Sequence, residues 1–187
     1  SFILVLLTLV SARAQLTETK LTVSVFGNDN FGISVATDGN YLVAGAVTAE
    51  EGKGSAFVFK REGENWIQQA KLLASDGAKL DYYGGSVAVC GDTIVIGARG
   101  DGDRSGSAYV YRYDGSTWQE TKLTASDGAH GDEFGYSVAV SGYTIVVGAP
   151  GDDFNGSAYV YRYEGSTWQE TKLNASEGAW VEAFGNS

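Results

Sequence analysis

The residues in this chain best suited to chemistry are acidic and stand beside glycines. Asp101 and Asp103 (GDGD) and Asp152 and Asp153 (GDD) occupy equivalent loops; Asp76, Asp81, Asp127, Asp132, Glu133 and Glu177 fill a second set of turns. Converging carboxylates can hold a hard cation, since Ca2+ takes about six to eight oxygen ligands, and an acidic rim attracts cations or basic ligands. Asp and Gly are also the ordinary residues of turns, where the side chain bonds local backbone, and that reading is preferred. The candidate metal ligands are Asp152, Asp153, Asp101 and Asp103, with Ca2+ at Gly151-Asp152-Asp153 as the rival reading; otherwise no cofactor is expected. Nothing nearby completes a catalytic set. His130 is the only histidine, no serine stands in a nucleophile-elbow context, and the GxG runs sit in hairpins rather than between a strand and a helix. Paired carboxylates alone do not separate into acid and base. Cys90 is the single cysteine, so no intrachain disulfide forms, and it reads as a half-buried strand thiol.

The elements that position these loops repeat. Phe31-Gly32, Tyr83-Gly84, Phe134-Gly135 and Phe184-Gly185 recur at intervals of 52, 51 and 50 residues, and Gly-Ala follows the first three at Gly45, Gly97 and Gly148. A period of this size marks a repeat architecture. Between Gly106–Thr124 and Gly156–Asn174, 17 of 19 residues are identical. Each unit carries four strand signals, read in the third copy as 137–140, 144–148, 157–163 and 167–173. A tight hairpin at Ser141-Gly142 joins the first two, and Asp114-Gly115 or Glu164-Gly165 turns join the last two. The first two strands are almost wholly apolar, as for strands covered on both faces. The fourth is half polar, with Glu170 and Lys172, as for an outer edge. Four antiparallel strands graded in this way describe a β-propeller blade, and rings need about four to eight blades. The fold class is therefore all-β, an incomplete propeller fragment with units starting near 31, 83 and 134 and a partial unit at 184. A solenoid of stacked hairpins is the runner-up. Leu16–Thr22 (LTETKLT) aligns with the fourth strand of the later units, so the chain is expected to open with an orphan outer strand.

Composition bounds the setting. The chain of 187 residues is 43% hydrophobic with a net charge of −10, which disfavours nucleic acid and anionic membranes as partners. Residues 1–14 form a separate segment: an apolar run too short to span a bilayer, then Ser11-Ala12-Arg13-Ala14. Ala12 and Ala14 fit a signal-peptidase site, so cleavage is expected after Ala14, with a mature region over 15–187 and a leader truncated at its start. No other stretch is apolar enough to span a membrane. Asn155-Gly156-Ser157 and Asn174-Ala175-Ser176 are N-glycosylation sequons.

The FG…GA(P) spacing, the repeated GSAYVY and the WQETKLTASDGA tail resemble the FG-GAP repeat, which builds the propeller at the head of integrin alpha subunits and occurs in many secreted proteins. The resemblance runs from about Leu16 to Ser187. It implies propeller blades, a secreted or cell-surface location and a ligand face made of loops. Integrin-type repeats often carry a calcium loop between the first and second strands; here that loop is reduced to Ser141-Gly142, Cys90-Gly91-Asp92 and Asp38-Gly39-Asn40, so the metal-free variant is the better match. Arg99-Gly100-Asp101 spells the tripeptide that integrins bind, but one Arg/Pro difference from Pro150-Gly151-Asp152 creates it, and it reads as coincidence. Tyr109, Tyr111, Tyr113, Tyr159, Tyr161 and Tyr163 recur with Trp66, Trp118 and Trp168. They read as packing between blades rather than as a carbohydrate platform. The resulting expectation is an extracellular, non-enzymatic binding or adhesion module with a protein or glycan partner. The alternatives are part of a propeller enzyme acting on polysaccharide, or a purely structural matrix or coat repeat.

Overall fold

The computed structural model describes residues 21, 29–174 and 184–187. The apolar segment 1–14, cleavage after Ala14, nearly all of the orphan strand, Glu177 and the last two residues of the second sequon lie outside those residues.

Among the described residues, twelve strands form three four-stranded antiparallel sheets, each in simple chain order. The first sheet holds β1 (Phe31–Thr37), β2 (Tyr41–Ala46), β3 (Ser55–Glu62) and β4 (Asn65–Leu72). The second holds β5 (Ser86–Cys90), β6 (Thr93–Ala98), β7 (Ser107–Tyr113) and β8 (Trp118–Leu123). The third holds β9 (Ser137–Ser141), β10 (Thr144–Ala149), β11 (Ser157–Glu164) and β12 (Thr167–Asn174). These are the propeller blades that the strand pattern implies, within one or two residues of the expected limits. The hairpin after β9 differs slightly: Ser141 pairs with Thr144, so Gly142 and Tyr143 form the turn. In the second blade Asp114 accepts the Ser116 and Thr117 amides, both at 2.8 Å, and closes a four-residue turn. Glu164 instead continues the ladder by pairing with Thr167.

The blades pack face to face, and the period of two divides each strand between neighbours. Ile94 and Ile96 join Val43, Val58 and Tyr83 in the core between the first two blades. Val95 and Val110 join Phe134, Ile145 and Tyr159 between the second and third. Leu21 packs with Phe31 on Phe57 and Phe59, much as Leu72 and Leu123 join the later cores. The first strands are less uniformly covered than their apolar sequences imply. β5 lies between β1 and β9, and Val87, Ala88 and Val89 are buried. In β1, Ile33 and Val35 remain 58% and 67% exposed, because among the described residues β1 has such a neighbour on one side only.

The repeated dipeptides are the joints between blades. Gly84 donates its amide to the Gly97 carbonyl of its own blade at 3.1 Å and turns its carbonyl to the preceding blade, where the Ser34 hydroxyl binds it at 2.8 Å. A Cβ on Gly45 would collide with that same carbonyl. The geometry recurs with Gly135, Gly148, Ser86 and Gly97, and with Gly185, Ser137 and Gly148. Glycine is thus required on both sides of each joint: the FG glycines have φ near +86 to +90°, while the GA glycines carry a neighbouring backbone where a side chain would stand. Gly97→Ala isolates the collision, since no positive φ is involved, whereas Gly142→Ala isolates backbone strain at φ +55° in open space. In urea unfolding, Gly97→Ala is expected to cost about 3 kcal/mol or more and Gly142→Ala about 1 kcal/mol. Equal costs would contradict the joint.

Candidate functional site

The acidic loops of both sets meet on one face, but they meet a lysine. Lys122 Nζ, from β8, lies 2.6 Å from Asp76 and 2.5 Å from Asp101. Tyr109 donates to Asp76 at 2.7 Å and Ser107 to Asp101 at 2.5 Å. One blade on, Lys172 reaches Asp127 at 2.7 Å and Asp152 at 2.6 Å, while Tyr159 donates to Asp127 at 2.8 Å. In the first blade Lys71 pairs with Glu50 over the ring of Phe57. The ammonium group stands where a cation between these carboxylates would sit. Asp103 and Asp153 are 90% and 86% exposed, Asp103 near His130 and Asp153 at the edge of the Lys172 cluster, 3.8 Å from Nζ, and among the described residues no three His, Cys, Asp or Glu side chains converge for a metal.

Glu170 and Lys172 therefore do more than coat an outer edge. Tyr161 donates to Glu170 at 2.7 Å and Tyr111 to Glu120 at 2.6 Å, so the fourth strand's polar side chains satisfy tyrosines that reach across the blade junction. Tyr111 packs with Tyr83 as well, hydroxyl to hydroxyl at 2.8 Å. Tyr109, Tyr111, Tyr159 and Tyr161 are thus inter-blade packing with paired phenols, whereas Tyr113 and Tyr163 lie against Trp118 and Trp168 of their own blades.

Charge balance in the clusters follows from these contacts. Lysine and tyrosine hydrogen bonds hold the Asp76 and Asp127 carboxyls below the usual range. Burial pushes Asp81 and Asp132 the other way, although each accepts one local amide, from Ala78 and Ala129. Burial and the adjoining carboxylates also raise Tyr109 and Tyr159, keeping them protonated donors.

A second feature lies where the variable positions converge. A cleft of about 400 Å3 is lined by Ile33, Val47, Tyr82, Gly85, Arg99, Gly135 and Tyr136. Ile33, Gly85 and Tyr136 share one register position, immediately after the FG pair; Val47 and Arg99 share another, immediately after Gly-Ala. Tyr82 immediately precedes its pair, as Asn30 and Glu133 precede theirs, and all three have φ of 53 to 55°. The residues flanking the constant joint thus differ from unit to unit and gather at one opening. Arg99 lies between two rings, its guanidinium carbon 4.7 Å from the Tyr82 centroid and 5.2 Å from that of Tyr136. Among the described residues its one ion pair is a 3.4 Å contact with Glu133, which Arg104 also binds.

This placement dismantles the RGD sequence as a displayed loop. Arg99 is stacked, the Gly100 amide binds the Asp81 carbonyl at 3.0 Å, and Asp101 is held by Lys122 and Ser107. The sequence reading missed the cleft: Tyr82, Tyr136 and Ile33 carry no motif, and the available signal was their variation beside constant glycines.

The FG-GAP repeat family matches residues 18–59, 66–111 and 118–161. The chain belongs to the FG-GAP repeat family. The second and third matched stretches begin in the fourth strand of one blade and end in the third strand of the next, so the FG-GAP unit spans the joint. No curated protein matches this FG-GAP chain. Among its described residues, no helix is long and apolar enough to cross a membrane.

A carboxylate with a depressed pKa contributes stability above its unfolded value, about 3.9 for Asp, and that stability is lost as pH falls through the folded value. A Lys122→Met/Lys172→Met protein should melt lower than the parent at pH 7, with the gap closing below about pH 3 as Asp76 and Asp127 protonate. Thermal melts from pH 7 to pH 2.5 check this; a gap that stays constant with pH would contradict the pairing.

Proposed function

We propose that this FG-GAP protein is an extracellular, non-enzymatic binding module whose ligand, a protein or a glycan, enters the Tyr82–Arg99–Tyr136 cleft. The observation that carries the reading is the division of labour within each unit: positions in the joint are constant, while those around the cleft differ. A constant frame with variable rim residues suits recognition, and pockets of this size hold small ligands or anchoring groups. The family's frequent occurrence in extracellular proteins supports the location.

The enzyme alternative needs free polar groups on the axis-facing strands. The recurrent serines there are committed to structure: Ser34, Ser86 and Ser137 each donate to a glycine carbonyl at 2.8 to 2.9 Å. Of the two sequons, Asn155 is the better acceptor on this reading, being exposed in a loop. Asn174 accepts the Ser157 hydroxyl at 2.9 Å.

The secreted protein and an Ile33→Trp variant, which fills the cleft from an exposed position, should be tested on arrays of glycans and matrix proteins. Expected results are saturable binding by the parent, at least tenfold loss in the variant with an unchanged melting temperature, and a mass decrease on deglycosylation that Asn155→Gln abolishes. Release of reducing ends from a polysaccharide would favour the enzyme alternative. Absence of any binding would favour a structural repeat.

A further inference from the structure

Four tyrosines and two lysines in the body of the blades are committed to carboxylates. Tyr109, Tyr111, Tyr159 and Tyr161 each donate to a carboxylate, and Lys122 and Lys172 each hold two or more. The cleft residues are not committed in this way. The hydroxyls of Tyr82 and Tyr136 make no hydrogen bond to the described residues, and Arg99 makes a single long one through Nη1. Among the described residues that line the cleft, Arg99 is also the only charged one. Around it two guanidinium groups face the one carboxylate of Glu133, an excess of positive charge in a chain whose net charge is −10.

We propose that the cleft is a subsite for a uronic acid, a sugar ring bearing one carboxylate; this rests on the binding-module reading above. An arginine fork pairs with a carboxylate bidentately and with fixed direction. Stacking between Tyr82 and Tyr136 pre-orients the Arg99 plane, so little freedom is lost on binding. The free phenol groups answer ring hydroxyls, which an acidic peptide side chain does not supply. Ile33 and Val47 offer apolar surface to the C–H face of a sugar. The surrounding acidic body repels dense polyanions, so the preferred ligand carries one or two carboxylates rather than a long charged run.

The test is calorimetric titration of the whole secreted protein with digalacturonate. The neutral digalactose and a short glutamate peptide serve as competitors of different chemistry. Digalacturonate is expected to bind, to weaken with added salt, and to bind about ten- to a hundredfold more weakly to Arg99→Gln, with partial recovery in Arg99→Lys and no change in melting temperature. Should Arg99→Gln fail to fold, Tyr136→Phe takes its place, with an expected weakening through loss of one hydroxyl. Equal affinity for digalactose, undiminished binding by Arg99→Gln, or binding of the peptide but not the sugar acid would overturn the proposal. If digalacturonate does not bind while Ile33→Trp still abolishes capture of another array component, the uronate subsite is wrong and the binding module stands.

Discussion

Everything in this structure depends on how closely one blade's backbone approaches the next. At each joint the carbonyl of an FG glycine lies where the side chain of the preceding blade's GA glycine would be, and a serine hydroxyl holds that carbonyl in place. The arrangement admits no Cβ on either partner, and it satisfies a backbone acceptor that the sheet ladders leave unpaired. Phenylalanine or tyrosine beside the glycine then fills the core behind the joint: Tyr83 and Phe134 are fully buried and meet Tyr109 and Tyr159 edge to face at 5.3 Å. The family's signature letters are thus one contact written from its two sides.

The joint also fixes where freedom remains. Side chains immediately outside it, after FG and after GA, project at the opening rather than into the core, so they can vary without disturbing the approach. In this chain that freedom yields Ile33, Gly85 and Tyr136 at one register position and Val47 and Arg99 at another. Farther out, the lysines of the fourth strands neutralise the acidic turns. The loops are held by internal pairs of opposite charge.

The architecture was legible because it is repetitive. Strands such as Ser157–Glu164 announce themselves by alternation and by recurring in register, and Gly-Ala at a constant distance from Phe-Gly marks the joint before its geometry is known. The cleft was not legible for the converse reason. Tyr82, Arg99 and Tyr136 are far apart in sequence, differ from their counterparts, and meet only because left-handed backbone at Tyr82 and Glu133 turns the chain at the mouth. Lys172 misled in a different way: on an alternating outer strand it reads as a solvated charge, and only the inter-blade position of Asp127 reveals the pair. Ionic contacts between repeats leave no local sequence pattern.

The central claim is that constant and variable positions serve separate ends, frame and recognition. Rewriting the second unit's rim with third-unit residues, Tyr82→Glu, Gly85→Tyr and Arg99→Pro together, tests it most directly, since each residue already occurs at that register in the same chain. The account predicts an unfolding free energy within about 0.5 kcal/mol of the parent and loss of ligand binding. A protein that unfolds several kcal/mol more easily, or that still binds as the parent does, would contradict it.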